Sequence, residues 1–117
     1  MAKTKRPPRS VGCPTELALG YLGGKWKSVI LARLKDRPLR YGELRRLIPH
    51  LSDKVLTERL RDLQSLGLIE RVRGSAEKNA VAYRLTARGE SLRPTLQALY
   101  DWGLATATDL NIKIRTE

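Results

Sequence analysis

The chain has no phenylalanine, one cysteine and one histidine in 117 residues. A lone cysteine rules out a framework of internal disulfides. Paired only with one histidine, it cannot build a metal cluster of the usual spacing. There is no glycine-rich phosphate loop either, so little remains from which to assemble an active site. A pairing of Cys13 with His50 would need the start of the domain to meet a turn in its middle, which the order of elements disfavours. An enzyme is therefore not expected, and neither a cofactor nor a metal. No apolar run approaches the roughly 20 residues that span a bilayer. Pro7-Pro8, not an apolar segment, follows the basic start, so a secretory signal is not expected. A cytoplasmic protein with one modest core is expected, built from Leu, Ile, Val and two Trp in place of Phe.

Acid is also scarce. Against 12 Asp and Glu stand 23 Lys and Arg, for a net charge of +11 and a pI near 10.4. A field of that strength draws a chain to a polyanion, either nucleic acid or an anionic membrane surface. Lys3, Lys5, Arg6 and Arg9 lie in an opening stretch without acid, and setting those four aside leaves the rest at +7. Residues 1–12 read as a flexible basic arm, 13–110 as one domain and 111–117 as a loose tail.

What is present is periodic. Pro14 suits a first helical turn, and Leu17, Ala18, Tyr21 and Leu22 follow at helical spacing until Gly23-Gly24. Lys25 to Leu34 predicts a second helix with Trp26, Val29, Ile30 and Leu34 as its core stripe. After Asp36-Arg37-Pro38, Leu39-Arg40 predicts a very short strand. Tyr41 to Ile48 predicts a helix with Leu44, Leu47 and Ile48 on one side, ended by the turn Pro49-His50-Leu51. The next helix is the most informative stretch. Ser52 is a good N-cap and Gly67 a good C′ residue. Leu56, Leu60 and Leu63 share one face, and Lys54, Thr57, Glu58 and Arg61 cluster opposite.

Two short helices, a tight turn and a polar outer face describe a helix-turn-helix. The competing reading is two amphipathic helices of any small α-protein. After Gly67 the period changes to two. Leu68–Arg73 and Val81–Thr86 predict strands joined by a polar loop at 74–80, a basic hairpin placed as a wing. A plain surface hairpin is the alternative there. Arg88 to about Leu104 predicts a final helix with a seam of Leu92, Leu96, Leu99 and Trp102. Pro94 inside it implies an irregular first turn or a kink.

The ordered set of motifs resembles the HxlR-type family of winged helix-turn-helix regulators, relatives of the MarR-like proteins. Carrying the resemblance are Cys13-Pro14-Thr15-Glu16, Gly23-Gly24-Lys25-Trp26 and Leu39-Arg40-Tyr41-Gly42-Glu43-Leu44. So do Lys54-Val55-Leu56-Thr57-Glu58-Arg59-Leu60, Gly67-Leu68-Ile69, Tyr83-Arg84-Leu85-Thr86 and Trp102-Gly103. It spans about residues 13–103. The wing departs from the family's pattern: its tip is Glu77-Lys78-Asn79-Ala80, without proline, and Ala82 stands where an acid often precedes Tyr83.

The resemblance implies a mainly α (α+β) winged helix-turn-helix whose extra N- and C-terminal helices form a dimer interface. It implies a homodimer on a partly palindromic operator of double-stranded DNA, with no membrane partner. Ser52, Asp53, Lys54, Thr57, Glu58 and Arg61 are the expected recognition residues. Arg40 and Arg45 on the first helix and Arg71, Arg73 and Lys78 on the wing are further DNA candidates. Leu17, Tyr21, Leu92, Leu96, Leu99 and Trp102 are the expected interface, with packing inside one protomer as the alternative. The family often keeps a sensing cysteine at the position of Cys13, which leaves room for an oxidant or small-molecule effector. Independently, a helix start favours a thiolate at that position. A sequence-neutral, architectural nucleic-acid binder is the rival function.

Overall fold

A computed structural model describes residues 8–73 and 80–115. Six helices and three short strands follow one another as α1 (Pro14–Leu22), α2 (Lys27–Leu34), β1 (Leu39–Arg40), α3 (Tyr41–Leu47), α4 (Asp53–Ser65), β2 (Ile69–Arg73), β3 (Val81–Leu85), α5 (Ala87–Glu90) and α6 (Arg93–Leu110). The architecture is the expected winged helix-turn-helix, mainly α with one small sheet. No helix among the described residues is long and apolar enough to cross a membrane.

The core lies between α2, α3, α4 and the root of the sheet. Ile30, Leu31, Leu44, Leu56, Leu63 and Leu68 are fully buried there. The helix-turn-helix forms as its caps require. Glu43 accepts the N–H of Arg40 at 2.8 Å and closes the first turn of α3. That bond, more than the neighbouring Arg37, holds the Glu43 carboxyl below its ordinary pKa. Ser52 Oγ accepts from the Val55 N–H at 3.1 Å and starts α4. Gly67, at φ +77°, ends that helix in the left-handed region, where a side chain would be strained.

The sheet is antiparallel in the order β1-β3-β2. Ile69 faces Leu85 and Arg71 faces Tyr83 across β2 and β3, and Leu39 faces Tyr83 across β1 and β3. Val81, Tyr83 and Leu85 therefore share the inward face, as the alternation predicts. Thr86 locks the wing to the end of α4. Its hydroxyl donates to Gly67 O at 2.6 Å and accepts the Gly89 N–H at 3.1 Å. Gly89 is buried beside Leu68, just before β2, where a Cβ would collide with the Leu68 carbonyl.

Three expectations need correction. The second helix begins at Lys27, because Trp26 sits at φ +87° as its N-cap. Its stripe is then Lys27, Ile30, Leu31 and Leu34, and Val29 faces outward. Lys27 is the surprise, only 6% exposed, with its ammonium donating to Gly20 O at 3.2 Å. The final helix is two helices, broken at Ser91-Leu92, and it runs on to Leu110. Pro94 lies in the first turn of α6, where a missing N–H has no intrahelical acceptor to lose. Beyond α6, Asn111 adopts a left-handed φ of +57° and Ile112 donates its N–H to Ala107 O. That end of the helix is a capped stop.

The Cα radius of gyration is 15.2 Å, against about 13 Å for a compact chain of this length. The terminal helices add little to the core. Of α1 only Leu22 is buried, and of α6 only Leu96 and Ala107.

Candidate nucleic-acid interface

The outer face of α4 is polar and exposed, and its side chains differ in how much freedom they have. Arg61 is exposed and makes no hydrogen bond or ion pair with the described residues. Lys54 Nζ lies 3.4 Å from Glu58, which also meets Arg59 at 3.4 Å. Exposed pairs of this kind are weak and yield to a better partner. The Thr57 hydroxyl sits beside that of Tyr41.

Ser52 and Asp53 are occupied. Ser52 caps the helix. Asp53 Oδ1 accepts from the Tyr41 hydroxyl at 2.7 Å and from Arg45 Nε at 2.9 Å. Arg45 also donates to the Leu51 carbonyl in the turn. Burial and the neighbouring Asp53 together push the Tyr41 phenol above its ordinary pKa. Arg45 thus sits inside the helix-turn-helix as a tie between its two helices. In the sequence Tyr41 stands out as a helix start and as part of a family motif, not as a partner of Asp53. Its spacing of one turn from Arg45, with an acid at the next N-terminus, was the available signal.

On the wing side, α4 packs directly against β2, which carries Arg71 and Arg73 exposed at its outer end. Arg84 is engaged by Glu70 directly opposite, at 2.8 Å. Arg40 is exposed at the head of α3, near Glu43. Lys78 with the rest of residues 74–79, and the three arm cations Lys3, Lys5 and Arg6, lie outside the described residues. A second partly buried pair joins Arg59 to Asp62 at 3.5 Å along the flank of α4.

The terminal helices carry the other candidate features. Cys13 is exposed at the N-cap of α1. Its sulfur takes up no full capping hydrogen bond, yet the N–H of Glu16, then that of Thr15, holds the thiol below its ordinary pKa. The expected apolar seam is divided. Leu96 is 4% exposed and belongs to the chain's own core, with Leu92 half-buried against that core. Leu99 and Trp102 are 52% and 72% exposed. Leu17 is exposed and Tyr21 half-buried on α1. Leu19, Tyr100, Leu104 and Leu110, not singled out from the sequence, add to the uncovered surface.

The HxlR-like helix-turn-helix family profile matches residues 21–110. An uncharacterized HTH-type transcriptional regulator of Methanothermobacter thermautotrophicus is 45% identical over 91 residues, covering 78% of this chain and 70% of that protein. The redox regulator HypR in its oxidized form is similar with a TM-score of 0.73 at 33% identity, over 80% of this chain and 96% of that one. Quinone-bound YodB from B. subtilis gives a TM-score of 0.65 at 35% identity, over 78% and 97% of the two chains. A helix-turn-helix with an exposed polar face on α4, exposed arginines on β2 and these likenesses lead to one assignment. The chain belongs to the HxlR-like helix-turn-helix family of DNA-binding transcriptional regulators.

Proposed function

We propose that the protein binds a partly palindromic operator as a homodimer, with the α4 helix of each copy in successive major grooves. The observation that carries this reading is Arg61, which has no hydrogen-bond or ion-pair partner among the described residues and stands on the outer face of a capped helix whose leucine stripe is buried. A guanidinium in that position is suited to the paired acceptors of guanine. Arg71 and Arg73 would grip phosphates beside it, supplying affinity without much sequence preference.

Support for the dimer comes from surface that one copy leaves uncovered. Leu99, Trp102, Leu104 and Leu110 are all exposed on one helix, and clustered exposed apolar side chains mark interaction surfaces. A two-fold pairing would bury it and set the spacing of the two α4 helices.

The proposal extends to control through Cys13. The likeness to a redox regulator and to a quinone-bound regulator favours it, as does an exposed thiol with a depressed pKa. A quinone would accept the thiolate by conjugate addition, forming an S–C bond while the ring gains a proton and becomes a hydroquinone. Diamide would join the Cys13 thiols of two copies, taking up their two protons and two electrons.

Sedimentation, together with fluorescence anisotropy on a duplex selected from a randomised pool, tests the reading. A dimer that prefers the selected duplex over a scrambled one by roughly a thousandfold is expected. Benzoquinone or diamide should lower that affinity in wild type and not in Cys13→Ser. Equal affinity for both duplexes would instead indicate a sequence-neutral binder.

A further inference from the structure

We infer that Asp53 is a positioning residue and not a DNA contact. With Tyr41 and Arg45 it sets the tilt of the recognition helix and so the sequence preference. The inference rests on the DNA-reading role proposed for α4. Asp53 is the first residue of α4, and its side chain is 74% exposed at the end where a phosphate backbone would approach. A bare carboxylate there would repel DNA. It is not bare: one oxygen, Oδ1, takes a proton donor from Tyr41 at 2.7 Å and another from Arg45 at 2.9 Å. Both donors stand on α3, one turn apart. The Tyr41 hydroxyl also lies 3.4 Å from the Asp53 carbonyl, and Arg45 holds the Leu51 carbonyl of the turn. Three segments of the helix-turn-helix thus meet at one carboxylate.

The apolar contacts of Leu56, Leu60 and Leu63 hold α4 on the core, but such contacts are non-directional and tolerate small changes of tilt. Hydrogen bonds of this length do not. Arg61 stands eight residues beyond Asp53, about 12 Å along the axis. A tilt of about 5° would move it by about 1 Å, enough to spoil a two-point base contact.

Tyr41→Phe tests this, because it removes one oxygen and leaves charge and ring packing unchanged. The readout is the affinity ratio between the duplex that wild type selects from a randomised pool and a scrambled duplex, both by anisotropy. The ratio should fall about tenfold in Tyr41→Phe, the scale of a mismatched base pair, with the melting temperature within a few degrees of wild type. Asp53→Asn should also lower the ratio, while raising affinity for the scrambled duplex because Arg45 is released. The double variant should lose no more than the worse single one, since the two residues act as a unit. Arg45→Gln should repeat the loss of ratio if Tyr41→Phe melts early. Wild-type ratios in Tyr41→Phe and Arg45→Gln would overturn the inference, as would relaxed preference at a single base pair in Asp53→Asn. A wild type with no preference would instead overturn the proposed function.

Discussion

At the scale of single residues, engagement separates the polar side chains of α4 more sharply than exposure does. Lys54, Glu58 and Arg61 all face solvent, but the first two already share an ion pair at 3.4 Å. Arg61 has no such partner to give up among the described residues, so its interaction is available to DNA. Arg61→Ala is expected to cost about 1–3 kcal/mol on the selected duplex and to relax preference at one base pair. Anisotropy titrations over single-base variants of that duplex would measure both effects. Unchanged affinity would remove Arg61 from the recognition set.

Cys13 has its own residue-scale test. The helix-start N–H groups depress the thiol's pKa in the folded state, so at a given pH more of it is thiolate than in the unfolded chain. Iodoacetamide should therefore alkylate the native protein faster than the same protein in guanidinium throughout the range below the unfolded pKa. The advantage should vanish as pH rises past that value, where both states are ionised. Equal rates at all pH values would mean the N–H groups do not activate the sulfur.

Among elements, the junction of α4, wing and α5 leaves no room for a side chain at Gly89. Gly89 presses on the Leu68 carbonyl, the same oxygen that accepts the Thr86 N–H at 3.0 Å. Gly89→Ala would drive a methyl group into backbone that cannot swing aside. A loss of about 1–3 kcal/mol or more is expected in urea unfolding, the range of overpacked sites. The wing itself should act through charge. Arg71→Ala and Arg73→Ala are each expected to lower the slope of log affinity against log salt by about one. The loss should be alike on selected and scrambled duplex. Slopes that do not move would place β2 away from the phosphates.

For the whole molecule, the division of the apolar seam decides which variants report on assembly. Leu96 and Leu92 pack inside the protomer, whereas Leu99 and Trp102 face out. Leu96→Ala is expected to cost about 2–5 kcal/mol of folding stability and says nothing of dimers. Trp102→Glu removes only exposed surface, so it should leave the fold intact and yield monomers by light scattering. Those monomers should bind DNA far more weakly, since one half-site alone contributes little. A Trp102→Glu dimer with wild-type affinity would refute the terminal-helix interface.

The sequence by itself determined the helix-turn-helix, the wing and their order. Each rests on a local signal: Ser52 and Gly67 bracket α4, the Leu56-Leu60-Leu63 stripe orients it, and strict alternation marks β3. The fold class follows from these alone, and so does the polar outer face of α4. What only the tertiary structure decided depends on which surface meets which. The left-handed Trp26 moved the start of α2 and turned Val29 outward, because that conformation is held by packing on the core and not by Trp's own preference. The helical spacing of Leu92, Leu96, Leu99 and Trp102 shows one stripe but not where a neighbour ends, so its split between core and surface was not legible. The same holds for Asp53, whose type and position suit a DNA-facing helix start equally well. Its role became visible only when folding brought Tyr41 and Arg45, twelve and eight residues back, to a single carboxylate oxygen.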